Sequence, residues 1–115
     1  MPKHSSYIPH FLEFNDNVKL YHWSTGSYTR HTISGSLYAD LQEFTDTFIE
    51  TCIGLHGLSP IKSKLSLNSL SDKEFVKYVK EFVKFVHGIN EPELSNQRDE
   101  LLDILHKYLY LLRMD

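Results

Sequence analysis

The 115-residue chain contains one cysteine, Cys52, so no internal disulfide can staple it, and 115 residues are enough to bury a core without one. It lacks any uninterrupted apolar run approaching the roughly 18 residues of a membrane span. The N-terminal MPKHSSYIPH lacks the apolar stretch of a secretory signal. These absences predict a cytosolic, reduced protein with no membrane partner. There is no basic run, and 12 Lys+Arg against 15 Asp+Glu leave a formal net charge of -3, which counts against nucleic-acid binding. G-x-S-x-G, a phosphate-binding glycine loop and a dinucleotide fingerprint are all missing, which removes the commonest hydrolase, kinase and dehydrogenase signatures. Internal repeats and low-complexity tracts are missing too. What remains is the balance of one ordinary domain over 1–115, 41% hydrophobic and 23% charged.

The apolar residues recur with helical period. Phe11, Phe14, Val18 and Tyr21 predict a first helix over 9–23, with Pro9 at its first position. After Ser24-Thr25-Gly26-Ser27, a second helix is predicted over 28–53. Ile33, Leu37, Leu41, Phe44, Phe48 and Ile49 lie along its broad face, and Gly54 is its stop. Ser71 and Glu74 form a capping box for a third helix over 72–88. There Phe75, Val76, Val79, Phe82, Val83 and Val86 oppose Lys73, Lys77, Lys80 and Lys84, a stripe read as a solvated face. The Val and Phe content would also suit a strand, but the spacing by three and four favours helix. A fourth helix over 92–113 buries Leu94, Leu101, Leu102, Leu105, Leu109 and Leu112. The expected fold is an all-α four-helix bundle. Its long Leu55–Leu70 connection either crosses the bundle end to end or holds a short helix of its own.

Chemistry-bearing residues concentrate in the first two helices. His22 ends the first and His31 opens the second, so the hairpin brings together two imidazoles, a good ligand pair for iron or zinc. Asp46 and Glu50, one turn apart, present carboxylates from one face, although such pairs are also ordinary surface features. His31 and Asp46 lie about 22 Å apart along a straight helix but only roughly 60° apart around it, so they cannot share an ion within one chain. A second copy packed antiparallel across a two-fold axis would place the histidines of each chain against the acids of the other. Ser34, Gly35 and Ala39 are small enough for such an approach, and Gly35 suits packing inside the subunit equally well.

His-Trp, a second His and Asp-x-x-x-Glu on one long helix resemble the Dps-like mini-ferritins of the ferritin-like superfamily. HWSTGSYTRH, with Tyr38, Asp46, Glu50 and Gly54, and the ending DELLDILHKYLYLLR look like short ferritin-like proteins of phages and large DNA viruses. The resemblance covers the first two helices well and the last loosely. It implies a ferritin-like homodimer with an inter-subunit metal centre ligated by His22, His31, Asp46 and Glu50. Iron or another divalent transition metal would bind there, and the implied activity is ferroxidase-like oxidation of Fe(II). The sequence also departs from the family. The turn from His22 to His31 is shorter, and Gly35 stands where the family places a further carboxylate. The chain is shorter than a typical shell-forming subunit, and Lys3 is the single lysine before the first predicted helix, where some members of the family carry a lysine-rich tail.

The alternative is a non-enzymatic viral or phage structural or interaction protein, in which the His/Asp/Glu set is a hydrogen-bonded network. Asp103 and His106, three apart on the last helix, form a weaker metal motif. His56 and His87 sit beside glycines at element ends and read as structural. His4 and His10 would bind metal only adventitiously. Tyr21 and Trp23 read as core or dimer contacts, and Cys52 as a small buried hydrophobe.

Overall fold

The computed structural model describes residues 3–114, with side chains from Tyr7 onward. Four helices follow one another: α1 (Lys3–Ser24), α2 (Tyr28–His56), α3 (Asp72–His87) and α4 (Ser95–Leu112), the last entered through a single 3-10 turn at Pro92–Leu94. No strand occurs among the described residues, and no helix is long and apolar enough to cross a membrane.

Two predicted boundaries move. Helix α1 begins at Lys3, so Pro9 lies inside it rather than at its start. A proline fits a first position well, but it removes one backbone donor without forbidding a turn upstream. Gly54 lies within α2, which continues to His56 and stops at Gly57. Gly57 has φ +77°, the left-handed conformation that glycine adopts without a Cβ clash, and its N–H closes on the Ile53 carbonyl at 2.7 Å. The α3 start is as read from the sequence. The Ser71 hydroxyl accepts from the Glu74 N–H at 3.1 Å, and the Glu74 carboxylate accepts from the Ser71 N–H at 3.0 Å.

The helices form a four-helix bundle whose ring contacts define its topology. Tyr21 near the end of α1 stacks on Phe75 near the start of α3 at 3.8 Å, Phe14 stacks on Phe82 at 3.8 Å, and Tyr7 meets Phe85 edge-on at 6.1 Å. Helices α1 and α3 are therefore antiparallel. On the other side, Tyr108 of α4 donates to Asp40 at 2.8 Å and Gln97 donates to Thr51 at 3.3 Å, so α2 and α4 are antiparallel too. With hairpins joining α1 to α2 and α3 to α4, the order is up, down, down, up. Helices α2 and α3 run the same way.

That order requires the α2–α3 connection to run the length of the bundle, and residues 57–71 do so with no helix of their own. Asn17, only 2% exposed, holds this strap as a neighbouring strand would. Its amide donates to the Ser66 carbonyl at 2.9 Å and accepts from the Asn68 N–H at 2.9 Å, while Glu13 accepts from the Ser66 N–H at 2.7 Å. Phe11, Phe14, Phe48, Phe75, Leu101 and Leu105 fill the centre. Burial of each contributes about 1.5–3 kcal/mol against leaving it in water.

Candidate functional site

Helix α1 ends at Ser24, and the Ser27 hydroxyl caps α2 by accepting from the Arg30 N–H at 3.1 Å. This tight turn sets the last turn of α1 against the first of α2. His22 and His31 meet there, their rings stacked at 3.9 Å and 16°. His22 Nδ1 lies 2.6 Å from the His31 carbonyl oxygen, and His31 Nδ1 lies 2.8 Å from that of His22. A carbonyl oxygen only accepts, so both Nδ1 atoms carry hydrogen. In the neutral rings both Nε2 atoms therefore keep lone pairs, the state in which imidazole binds a metal. The exchange also supplies a donor to the His22 carbonyl, left without a helical partner at the α1 terminus.

Gly35 explains how the His22 ring fits. A Cβ on Gly35 would stand 2.8 Å from His22 Cε1 and 3.1 Å from Nδ1. The position where the family resemblance places a further carboxylate is the seat of an imidazole in this chain, and glycine serves packing inside the subunit.

The residues beside the two histidines point inward and form a support that sequence reasoning missed. The Tyr21 hydroxyl donates to Asp72 Oδ1 at 2.6 Å, and the Thr25 hydroxyl donates to the same oxygen at 3.0 Å. The Arg30 guanidinium reaches the Tyr21 hydroxyl at 3.3 Å, the Asp72 carbonyl at 3.2 Å and the Leu112 carbonyl at 3.2 Å. One network thus ties the α1–α2 turn to α3 and α4. The Tyr21 hydrogen bond, helped by Thr25 and Arg30, holds the Asp72 carboxyl below its usual range. Burial and that same bond push the Tyr21 phenol up.

The acidic half lies elsewhere on α2. Asp46 and Glu50 are exposed, and the hydrogen bond and charge of Asp46 raise the Glu50 carboxyl. They border a shallow groove of about 870 Å³ on the outer α1–α2 face, where Ile8, Leu12, Ile49 and Ile53 are apolar neighbours. Asn15 also lines it. Its Nδ2 donates to Thr45 at 3.0 Å, and its buried Oδ1 has no protein partner. Within one chain the histidines and acids stay apart along α2. No group of three or more His, Cys, Asp or Glu among the described residues could hold a metal ion.

The remaining candidates separate cleanly. Asp103 and His106 are exposed on α4 without a third ligand. His56 bonds the Glu91 carboxylate, which also accepts from the Tyr7 hydroxyl at 3.3 Å. His10 stacks on Phe85 at 4.2 Å, and His87 closes α3. His4 lies outside the described side chains. Cys52 is buried, and burial, with the Glu91 charge, pushes its thiol up to about 11, which makes it a poor nucleophile. Tyr21 is fully buried. Trp23 is 69% exposed and, with Tyr38, flanks the Lys19 ammonium at 5.3 and 4.8 Å.

A family model matches residues 22–112, from the first stacked histidine to the last turn of α4. The chain belongs to this family of unknown function (DUF5856). His22, His31, Asp46 and Glu50 all fall within the span that defines membership. No curated protein and no solved structure matches the chain.

Proposed function

We propose that this member of the family is a ferritin-like metal-binding protein that works as a homodimer. His22 and His31 of one chain and the partner's Asp46 and Glu50 complete an inter-subunit site for iron or another divalent transition metal. The observation that carries this reading is the pair of Nδ1–H bonds to backbone carbonyls, which fixes two imidazoles side by side with their Nε2 lone pairs uncommitted. Three further features support it. The acid pair lies on the same helix, in a groove of mixed polar and apolar lining that a second copy would cover. One long crossover between parallel α2 and α3 is the connection used by ferritin-like bundles. Antiparallel two-fold packing sets the histidine end against the acid end.

With iron, the activity is oxidation of Fe(II) by oxygen or peroxide. Each Fe(II) gives up one electron, and peroxide takes two electrons and two protons to leave as water. The chain supplies imidazole and carboxylate ligands. The place of action is the cytoplasm, that of the host or the virion if the source is viral.

Native mass spectrometry before and after chelation tests the reading. The expected species is a dimer with about two chelatable metal ions, one per two-fold-related site. Replacing Asp46 and Glu50 by Ala should abolish stoichiometric metal binding, and unchanged binding would defeat the proposal. Oxygen consumption on Fe(II) addition then reports catalysis. A second reading is favoured by Gly35, which seats His22 where a further ligand would otherwise stand. There the protein is a non-enzymatic structural or interaction component, the histidine pair is a structural lock, and added Fe(II) and Zn(II) are both refused.

A further inference from the structure

The net charge of -3 conceals a segregated surface. Asp40, Glu43 and Glu100 line a groove between α2 and α4, and Asp46 and Glu50 lie on the outer α1–α2 face. The opposite corner, where the start of α3 meets the end of α4, is basic. A groove of about 540 Å³ there is lined by Arg30, Lys73, Lys77 and Lys80, and it adjoins a second of about 250 Å³ lined by Lys80, His106, Tyr110 and Arg113. Val76 and Lys80 belong to both.

Three observations give this corner chemical content. Lys73, Lys77, Lys80 and Arg113 form no ion pair among the described residues. Asp72 is the single carboxylate lining either groove, and its Oδ1 is already engaged by Tyr21 and Thr25. Tyr110 is 56% exposed beside the cations, with Val76 and Leu109 as an apolar floor. Lys73, Lys77 and Lys80 follow one α3 face over about 10 Å, at the one-turn intervals that suit successive anionic groups. A row of unpaired cations beside an exposed aromatic ring is the combination that holds a single-stranded phosphate backbone and stacks one of its bases.

We infer that the α3–α4 corner binds single-stranded nucleic acid, with Lys73, Lys77, Lys80 and Arg113 on phosphates and Tyr110 stacked on a base. A local field suffices for this, although the global charge is negative. Contacts to phosphates and to one base face do not read the sugar, so DNA and RNA should bind alike. The alternative occupant is the acidic α2–α4 groove of a second copy. Such a head-to-tail contact uses two different surfaces and propagates as an open chain. This inference concerns a different face from the proposed metal site and stands without it.

The test is fluorescence anisotropy of labelled oligothymidylate and oligouridylate, each on the order of ten nucleotides, with the full chain. Four phosphate contacts predict a salt slope near -3, so affinity should fall about fifty-fold between about 50 and 200 mM salt. Lys77→Glu with Lys80→Glu should lose at least about tenfold in affinity, while Lys77→Arg with Lys80→Arg retains it. Both pairs are exposed, and an unchanged circular dichroism spectrum checks their folding. Tyr110→Ala should weaken oligothymidylate binding about tenfold and leave heparin binding unchanged. No anisotropy change at low salt would overturn the inference, as would equal binding by the charge-reversed variant or an unaltered Tyr110→Ala affinity. Low-salt self-association that charge reversal disperses, without any oligonucleotide binding, would also overturn it and assign the corner to a second copy.

Discussion

The two halves of the candidate metal site are built in opposite ways. The histidine half is over-determined: each imidazole bonds the other's carbonyl, Gly35 clears space for one ring, and Tyr21, Arg30 and Asp72 brace the turn beneath. The acid half has little beyond itself, two exposed carboxyl groups one turn apart whose resolved interaction is with each other. Rigidity is thus concentrated at one end of the helix, although His31 is exposed like the acids. In the proposed dimer, the histidine half would be organised in advance and the acids would be ordered only when a second copy covers them.

Substitutions should separate the halves by the size of their effects. The largest is Tyr21→Ala, which removes a fully buried ring stacked on Phe75 together with the hydroxyl that binds Asp72. Chemical denaturation should show a loss of about 3–5 kcal/mol. Asp72→Asn keeps the shape but removes a charge-assisted acceptor and should cost about 1–2 kcal/mol near neutral pH. Its folded carboxyl lies below the ordinary range, so its contribution is full above that range and disappears as pH falls through the lowered folded value. Wild type and Asp72→Asn should therefore converge in strong acid. A gap that persists there would show that the carboxylate's charge is not what braces the turn.

Gly35→Ala should cost about 1 kcal/mol, because the His22 imidazole can swing away but its Nδ1–H bond to the His31 carbonyl goes with it. Nuclear magnetic resonance should show the His22 Nδ1 proton lost to exchange, while the His31 Nδ1 proton keeps its bond to the His22 carbonyl. The smallest effect belongs to the acid half. Asp46→Asn relieves the interaction that raises Glu50, and a raised carboxyl favours the folded state only while it is protonated. The melting temperature of the metal-free protein should therefore rise slightly at neutral pH and stay unchanged in acid. A large fall in melting temperature would erase the contrast between the halves.

Features carried by local chemistry were readable in the chain. Ser71 and Glu74 announce the start of α3 because a capping box needs only those two side chains, and the valine-rich run that follows buries one helical stripe. The His22–His31 meeting was legible for the same reason, since a short turn leaves the flanking residues nowhere else to go. Features that depend on distant partners were not. Asp72 lies 51 positions from the hydroxyl it binds, and nothing local marks Asn17 as the residue that fastens the strap. Gly35 is ambiguous in sequence because a missing side chain does not say what occupies its space. Pro9 and Gly54 misplace two helix ends because each is a preference, and α1 and α2 tolerate them inside. Summed composition misses the basic corner, since charges of opposite sign cancel in a total and separate on a surface.

The strap over 57–71 has one further consequence. It joins two helical hairpins that are each local in sequence, and residues 61–69 are exposed along its length. Loop-closure entropy grows slowly, by about 0.6 kcal/mol for each doubling of loop length. A graft inserted between Leu58 and Ser63, ahead of the Asn17 fastening, would therefore leave both hairpins intact, and a backbone cut there would yield two fragments that meet again through the aromatic stacks of α1 and α3. The molecule is in this sense two interlocking pieces on one thread, divisible for split-reporter design without touching the metal-site candidates.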